Sequence, residues 1–216
     1  MKSSPVRHDL GGGYGLRQAT ADDHDILKLI CLKTGAAGED ATDREDDPDL
    51  LGLIYAVPYQ VFAPDFAFII EGPAGPVGYV LGALDTDAFN DRLAREWYPP
   101  LQRRYRDPGA DRSAWRGSDW ARHLIHNPDF DNPASLAPFP SHGHIDVLPA
   151  AQGKGLGRKA MAFVEQRLHE AGSAGMHLGV ALTNERAQAF YRAVGFARHV
   201  APDISPHSII MVKRLG

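Results

Sequence analysis

The fold of this chain is decided by the segment His144-Ile145-Asp146-Val147-Leu148-Pro149-Ala150-Ala151-Gln152-Gly153-Lys154-Gly155-Leu156-Gly157-Arg158. A short apolar run ends at a proline, a glycine-rich turn follows, and an amphipathic pattern begins at once. Apolar residues then recur at helical spacing, which gives one packed face. The order is strand, loop and helix, and a loop of this kind at a helix N-terminus favours binding of a phosphate-bearing cofactor.

The loop places glycine at every second position: Gly153, Gly155 and Gly157. Without Cβ atoms, glycines allow backbone N–H groups to converge on one anion as the helix begins. Positive charge near the loop comes from three side chains: Lys154, Arg158 and Lys159. A Walker A loop needs Ser or Thr where Gly155 stands, and the dinucleotide fingerprint needs glycine where Arg158 stands. The loop therefore indicates a phosphate site that follows neither of these nucleotide motifs.

Composition excludes several classes of protein. With 216 residues, 44% hydrophobic and 23% charged, the chain is typical of a soluble globular domain with an elaboration. The net charge of −4 and the pI near 6.2 give no indication that the chain binds nucleic acid or an anionic membrane. No apolar run approaches the roughly 18 residues of a membrane span, and the start lacks a signal-peptide core. The single Cys31 excludes an internal disulfide and predicts a buried structural thiol in a cytoplasmic protein.

The chain begins with a segment that ends in three glycines. Residues 1–13 are expected to form a flexible leader before a single domain of residues 14–216. Weak alternation predicts a first strand over residues 14–19, at an edge of the sheet. A helix capped at Thr20 is expected to follow and to end near Lys33.

A cluster of acidic residues comes next, between Glu39 and Asp49. It is either a solvated loop or a surface that attracts a cationic substrate. The pattern then predicts a short helix that ends near Pro58. Aromatic and β-branched content predicts strands over 66–70 and 77–84, joined as an antiparallel hairpin by glycine and proline.

Residues 85–140 interrupt the succession of predicted strands and helices. They are interpreted as a helical and loop insertion folded over one face of the sheet. One helical piece carries several arginines with Trp97 and Tyr98 between them, and a second carries Trp120 and His123. The aromatic side chains either pack the insertion against the domain or bind a ligand. Neighbouring acidic residues offset the positive charge of these arginines, so RNA contact is not expected.

The C-terminal half places strand before helix. Strands are expected over 142–148, 176–182, 196–200 and 208–213, with helices over 155–171 and from Asn184 to just before Gly195. The predicted fold class is therefore α/β (α+β), with a mixed central sheet flanked by helices. The last strands allow pairing within one chain or between the two chains of a homodimer.

Two segments carry a resemblance to a known family. The loop Gln152-Gly153-Lys154-Gly155-Leu156-Gly157 matches the Q/R-x-x-G-x-G/A signature of the GNAT superfamily of N-acetyltransferases. Residues 183–196, with the sequence TNERAQAFYRAVGF, match the N-x-x-A-x-x-F-Y-x-x-x-G-F segment of that superfamily. The chain thus resembles GNAT proteins loosely over residues 14–84 and closely over residues 142–213.

A narrower resemblance rests on three short segments: His144-Ile145-Asp146, Gln152-Gly153-Lys154-Gly155 and His177-Leu178-Gly179-Val180. They look like the C-terminal acetyltransferase-like domain of the animal O-GlcNAc hydrolases (O-GlcNAcases). Because no hydrolase sequence accompanies them, the chain is similar to a free-standing bacterial relative of that domain.

The resemblance implies a GNAT fold with acetyl-CoA as the cofactor. The pyrophosphate of coenzyme A would be held by residues of the loop: Gln152, Gly153, Lys154, Gly155, Leu156, Gly157 and Arg158. The backbone of Val147 and Leu148 would pair with the pantetheine arm, where the strand splays from its neighbour. Asn184 and Ala187 would line the cofactor cleft, and Tyr191 would lie near the sulfur.

The resemblance also implies direct attack of an amine on a thioester, which needs a proton acceptor and a proton donor. Tyr191 is the candidate acid for the departing thiolate, or else a tyrosine packed against the cofactor. Asp146 interrupts an apolar strand, so we interpret it as a base or an ammonium anchor, with a structural hydrogen bond as the alternative. His142 and His144 alternate onto the face of Asp146 and suggest a proton relay, with His144 the better member. No metal is expected, and His177 is interpreted as structural.

Two functions follow from these residues. The first is an acetyl-CoA-dependent N-acetyltransferase that acts in a ternary complex on a small-molecule or peptide amine. The second is a module that binds acetyl-CoA or CoA as a sensor or scaffold without efficient transfer. The presence of Tyr191 and of a candidate base in Asp146 favours the first. The identity of the acceptor is not encoded in any motif.

Overall fold

One mixed sheet runs through the molecule. The computed structural model describes residues 7–205 and 209–216. Within them the strands are β1 (Arg7–Gly11), β2 (Tyr14–Gln18), β3 (Ala67–Gly72), β4 (Gly75–Ala83), β5 (Ser141–Val147), β6 (Gly175–Val180), β7 (Ala197–His199) and β8 (Ile209–Arg214). Their order in the sheet is β1-β2-β3-β4-β5-β6-β8-β7, and of the neighbouring pairs β5 and β6 are parallel. The predicted mixed α/β architecture is confirmed.

Helices lie on both faces of this sheet. They are α1 (His24–Thr34), α2 (Leu50–Tyr55), α3 (Val57–Phe62), α4 (Thr86–Arg92), α5 (Tyr98–Arg104), α6 (Asp119–His126), α7 (Leu156–Glu170) and α8 (Glu185–Ala193). A π-helical turn, Leu93–Trp97, joins α4 to α5. Within the described residues, no helix combines the length and apolar character needed to cross a bilayer.

The N-terminal strand corrects an expectation. Residues 7–13 were assigned to a flexible leader, which is wrong, because β1 pairs antiparallel with β2. Gly12 and Gly13, with φ angles of +64° and +80°, form the tight turn between the two strands, a conformation that glycine adopts without strain. Leu10 is 1% exposed and anchors the strand in the core. β2 consequently lies inside the sheet, not at its edge, and residues 1–6 fall outside the described ranges.

A short helix and a hairpin were expected between α1 and the insertion. The predicted hairpin is confirmed, since β3 and β4 pair from Ala67–Leu81 to Gly72–Gly75. The predicted short helix is also present as α2, which ends at Tyr55, three residues before Pro58. Pro58 lies at the start of the next helix and does not end the first. It stands in the first turn of α3, where a missing backbone N–H leaves no helical hydrogen bond unmade.

Alternation along β3 and β4 divides the core into two layers. Ile69, Tyr79 and Leu81 face α1, α2, α3 and the insertion, whereas Phe68 and Val80 face α7. This alternation is the period of two that a strand buried on both faces requires. The insertion therefore covers one face of the sheet, as predicted, and α7 covers the other.

The acidic segment ties the insertion to the rest of the domain. The Glu45 carboxylate accepts a hydrogen bond from the Trp120 indole N–H at 3.0 Å. Asp46 accepts one from the backbone N–H of Ser118 at 2.7 Å and pairs with Arg122 at 3.1 Å. The Ser118 N–H is also the first cause that lowers the pKa of Asp46. Glu45 and Asp46 thus anchor α6, while Glu39, Asp40 and Asp43 are exposed, as expected of a solvated loop.

Candidate active site

A cleft opens in the middle of the sheet. Among the described residues, β5 and β6 pair at Ser141–Met176 and His142–His177 only, and farther along β6 pairs with β8 alone. The two parallel strands therefore diverge towards their carboxyl ends. A cavity of about 1320 Å³ occupies this gap and continues under the insertion.

The backbone of β5 faces this gap. The N–H of Leu148 donates to the Val77 carbonyl of β4 at 2.8 Å. Because successive backbone groups alternate in direction along a strand, those of Val147 point away from β4 and into the cleft. The Gln152 side chain donates to the Val147 carbonyl at 2.7 Å. Within the part of the chain that the structure describes, no strand pairs with β5 here, so the Val147 N–H faces the cleft, where an extended, amide-bearing ligand arm can bind. The Val147 carbonyl is occupied by the Gln152 amide.

The glycine loop has the geometry of an anion cradle. Gly153 and Gly155 both have φ of +75°, and Gly155 immediately precedes the first residue of α7. A Cβ atom at either position would meet nothing within 4 Å, so the space over the loop is open to a ligand. A Cβ at Gly157 would lie 3.2 Å from the Phe190 ring, so this glycine lets α7 and α8 pack closely. The first-turn N–H groups of α7 complete a site that fits a pyrophosphate.

The basic side chains of the loop divide into two groups. The Lys154 ammonium donates to the Tyr14 hydroxyl at 2.7 Å, and the Lys159 ammonium donates to the Leu10 carbonyl. Both charges are directed to the N-terminal hairpin. Arg158, in contrast, lines the cavity. The positive charge closest to the cradle is therefore expected from Arg158 and not from the two lysines.

Helix α8 forms the opposite wall of the cleft. Asn184 caps it by accepting a hydrogen bond from the Ala187 N–H at 2.9 Å, and both residues line the cavity. The Arg186 guanidinium donates to the Gln152 side-chain oxygen and lies 3.6 Å from the Glu39 carboxylate. Asn184 thus has a structural role as a cap besides its place in the cleft.

Tyr191 is buried on the inner side of α8. Its side chain is 7% exposed, packs against the rings of Phe190 and Phe196, and lines the cavity. Burial, followed by the nearby charge of Asp146, raises the pKa of Tyr191. The hydroxyl therefore keeps its proton at neutral pH, which is the state that a proton donor requires.

Asp146 is held in a network of side chains. It stands directly opposite Tyr79 on β4, and the Tyr79 hydroxyl donates to its Oδ2 atom. The His144 Nε2 atom lies 3.3 Å from the same oxygen. The other ring nitrogen of His144, Nδ1, lies 2.9 Å from the Tyr55 backbone carbonyl. The sequence analysis placed His144 and Asp146 on one face, and the register confirms it.

The Tyr55 carbonyl determines which nitrogen of His144 carries the proton. A carbonyl oxygen can only accept a hydrogen bond, so Nδ1 is assigned as the protonated nitrogen. In the neutral ring Nε2 then presents its lone pair beside Asp146. The Nε2 atom and the Asp146 Oδ2 atom are 3.3 Å apart, close enough to be joined by a hydrogen bond once a proton is bound between them. Asp146 and His144 together can act as a proton acceptor.

His142 has a different environment from His144. Its Nδ1 atom lies 2.9 Å from the Thr86 hydroxyl, and its ring packs against those of Tyr59 and Phe89. Burial, followed by the neighbouring His177 and His144, lowers the pKa of His142 to about 3. His142 is therefore neutral, and its part in a proton relay would need it to bind a proton that burial disfavours.

Two buried groups behind the site have structural positions. Cys31 is 2% exposed, and burial raises the pKa of its thiol, so it is not a thiolate nucleophile. His177 is buried and bonds the Phe139 carbonyl through Nδ1 at 2.8 Å. Burial lowers the pKa of His177. Both residues lie where the sequence analysis expected structural side chains.

Two tyrosines of the site, Tyr79 and Tyr59, had no predicted role, and a third, Tyr98, was one of the insertion aromatics for which packing and ligand binding were both left open. Tyr79 reaches Asp146 from the neighbouring strand, while Tyr59 and Tyr98 line the far part of the cavity from α3 and the insertion. Tyr79 sits in an apolar strand, which is a signal for a buried hydroxyl that needs a partner. No sequence signal placed Tyr59 or Tyr98 beside Asp146.

Comparison with known proteins agrees with this geometry. The sequence pattern of the Acetyltransferase (GNAT) family matches residues 62–196. A crystal structure of SsHAT superposes with a TM-score of 0.85 at 32% identity, covering 94% of this chain and 99% of that one. The family resemblance noted in the sequence is thereby confirmed.

Two further relatives extend the comparison. Protein O-GlcNAcase of Rattus norvegicus is 23% identical over 170 residues, which are 79% of this chain but 19% of that protein. The match thus spans about a fifth of the relative. A phosphinothricin acetyltransferase from Sinorhizobium meliloti, in complex with AcCoA, has a TM-score of 0.54 at 15% identity, covering 94% of this chain and 89% of that one. This last likeness shows the shared fold.

Proposed function

This chain belongs to the acetyltransferase (GNAT) family, and we propose on that premise that it transfers the acetyl group of acetyl-CoA directly to an amine in a ternary complex. The observation that carries the proposal is the position of a proton-acceptor pair, Asp146 and His144, at the same cavity as the glycine loop and Tyr191. A site for binding alone would need the cradle but neither a base nor an acid.

The donor half is proposed to bind coenzyme A through backbone groups. The N–H groups around Gly153 and Gly155 would hold the pyrophosphate, and Arg158 would add positive charge. The Val147 N–H would pair with an amide of the pantetheine arm, and the Val147 carbonyl would do so once the arm replaces the Gln152 side chain. When bound, acetyl-CoA supplies a thioester that an amine can attack without a covalent enzyme intermediate.

The catalytic side chains are proposed to move two protons. Asp146 and His144 would first anchor the substrate ammonium and then accept its proton, which leaves the nitrogen free to attack. The Tyr79 hydroxyl keeps the Asp146 carboxylate oriented towards the cavity. Tyr191, whose hydroxyl is protonated at neutral pH, would donate a proton to the departing sulfur.

Two measurements test this proposal. Calorimetry with acetyl-CoA and with CoA tests the donor site, and absence of binding at millimolar ligand would refute both halves together. A thiol-release assay across a panel of amines then tests transfer. Binding without thiol release for every amine would instead assign the chain to acetyl-CoA-binding modules.

The role of Tyr191 has its own test. Tyr191→Phe is expected to lower kcat by about 100-fold, in the range of one general acid, with the affinity for CoA unchanged. Phe196→Tyr leaves Tyr191 in place and provides a matched aromatic control in the same ring cluster. Undiminished turnover by Tyr191→Phe would remove the acid role and leave Tyr191 as a packing residue.

A further inference from the structure

Three side chains form a bridge between the two walls of the cofactor cleft. The Gln152 side-chain N–H donates to the Val147 carbonyl of β5 at 2.7 Å, and the Gln152 side-chain oxygen accepts a hydrogen bond from the Arg186 guanidinium of α8. Arg186 in turn lies 3.6 Å from the Glu39 carboxylate. The contacts therefore run from β5 across to α8 and end at the segment that follows α1.

The bridge occupies groups that the cofactor is proposed to use. The Val147 carbonyl cannot pair with a pantetheine amide while the Gln152 side chain is bound to it. Gln152 also directly precedes Gly153 of the cradle, and both Gln152 and Arg186 line the cavity. An arm that runs from the cradle along β5 would pass between the walls that the bridge joins. The bridge and a bound cofactor therefore compete for the same place.

A tight turn presents Glu39 to Arg186. The Ala36 N–H donates to the Glu39 carbonyl at 2.9 Å, and the Glu39 N–H donates to the Ala36 carbonyl at 3.2 Å. Ala37 has a φ of +56°, and along residues 7–205 and 209–216 it is the one residue other than glycine with a positive φ. Alanine is strained in this region, and such strain persists only where surrounding contacts maintain it. The turn thus fixes Glu39 at the cavity, which Ala37 and Gly38 line.

The contacts of Arg186 are of a kind that a ligand can replace. The Arg186 and Glu39 side chains are 63% and 72% exposed, and ion pairs this exposed stabilise a protein only weakly. The other partner of Arg186 is a neutral amide oxygen. A phosphate group is a stronger partner for a guanidinium than either of these. Once released, Arg186 would add its charge to that of Arg158, which also lines the cavity.

We propose that Glu39, Arg186 and Gln152 form a latch across the cofactor cleft of the free protein and that coenzyme A opens this latch. The pantetheine arm would take the Val147 carbonyl from Gln152, and a phosphate of the cofactor would take Arg186 from Glu39. Glu39 is then a competitor of the cofactor and Arg186 is one of its ligands. This inference rests on the proposed binding of acetyl-CoA, because that molecule is what opens the latch.

The first test measures the Kd for CoA by calorimetry in single variants. Glu39→Gln weakens the latch and is expected to lower the Kd about threefold, the size of one exposed ion pair. Asp43→Asn is the matched control, because it removes one negative charge from the same exposed segment and leaves the Glu39–Arg186 pair in place. It is expected to leave the Kd unchanged. An equal gain in both variants would overturn the latch, since the effect would then be one of net charge.

The second test separates the two roles of Arg186 with pantetheine, which has the arm of CoA but no phosphate. Arg186→Gln is expected to raise the Kd for CoA about 10-fold, because a charged hydrogen bond to phosphate is lost. The same variant should bind pantetheine more tightly than the wild type does, because the latch is broken and no phosphate partner is missed. Weaker binding of both ligands would overturn the latch.

A double variant completes the test. In the Arg186→Gln background, Glu39→Gln is expected to have no further effect on the Kd for CoA, and a gain that persists there would overturn the inference. If CoA binds to none of these proteins, the proposed donor site fails and the latch fails with it. If CoA binds but no amine is acetylated, only the proposed transfer fails, and these affinities still decide the latch.

Discussion

The two halves of the cavity are built in opposite ways. The donor half is made from one continuous piece of chain, in which Gly153 and Gly155 aim backbone groups at an anion. The acceptor half is made from side chains of separate elements, with Tyr59 on α3, Tyr79 on β4 and Asp146 on β5. A site built from one stretch of backbone can be recognised from the spacing of residues in the sequence. A site assembled from side chains that are far apart in the chain cannot. The two halves should therefore respond separately to substitution.

Asp146→Asn should produce the largest difference between the two halves, in the loss of turnover compared with the loss of cofactor affinity. The amide keeps the shape of the carboxylate but cannot accept the substrate proton, so kcat/KM is expected to fall about 10²- to 10³-fold. The affinity for acetyl-CoA, measured by calorimetry, should change by less than about twofold, because the cradle makes no use of this side chain. Unchanged turnover would show that His144 accepts the proton alone.

Gly155→Val tests the donor half. Its φ of +75° is strained for a β-branched residue, so the loop is expected to shift and the affinity for CoA to fall about 10-fold. Gly155→Asn is the matched control, because asparagine tolerates this region. The rate at saturating acetyl-CoA should be close to that of the wild type. An equally large fall in that rate would show that the two halves are coupled.

Tyr79→Phe should have a smaller effect, on the acceptor half. It removes the hydrogen bond that orients Asp146, so kcat is expected to fall about fivefold, the size of one such bond. The affinity for acetyl-CoA, measured by calorimetry, should stay unchanged, because the Tyr79 hydroxyl contacts Asp146 and not the glycine loop. A matching loss of that affinity would indicate a packing role only.

The smallest effect concerns stability at acid pH. Burial lowers the pKa of His142 to about 3 from an ordinary value of 6.5, so between these values the unfolded chain binds a proton that the folded chain does not. Stability should therefore decrease as pH falls through this window, by up to about 1.4 kcal/mol per unit. Urea unfolding at pH 7, 6 and 5 should show a shallower decrease in His142→Gln. An identical decrease would assign the acid sensitivity to other groups.

The sequence was informative where chemistry is local. The glycine loop, the Asn184 cap and the alternation of His144 with Asp146 were all read from spacing within a few residues. The order of strands and helices in the C-terminal half followed from the same periodicities. The three N-terminal glycines misled, because Gly11 ends the short strand β1 and Gly12 and Gly13 form the hairpin turn.

The features that could not be predicted from the sequence depend on contacts between distant parts of the chain. Tyr79 and Asp146 are opposite each other only because β5 pairs antiparallel with β4 after the long insertion between them. The charged ends of Lys154 and Lys159 turn to the N-terminal hairpin, which had not been expected to be a strand. The acidic segment suggested a docking surface, yet α6 supplies partners to Glu45 and Asp46. Each difference depends on a contact between elements far apart in the chain.

The sheet order also bears on how the chain is assembled during synthesis. Strands β1 to β6 lie side by side in the order in which a ribosome would release them, so each finds its neighbour already present. The hairpins β1–β2 and β3–β4 need only modest loop closure, whereas the pairings of β2 with β3 and of β4 with β5 close long excursions. The last strand, β8, must then enter between β6 and β7. The nascent protein can therefore hold a complete glycine loop before its sheet is closed.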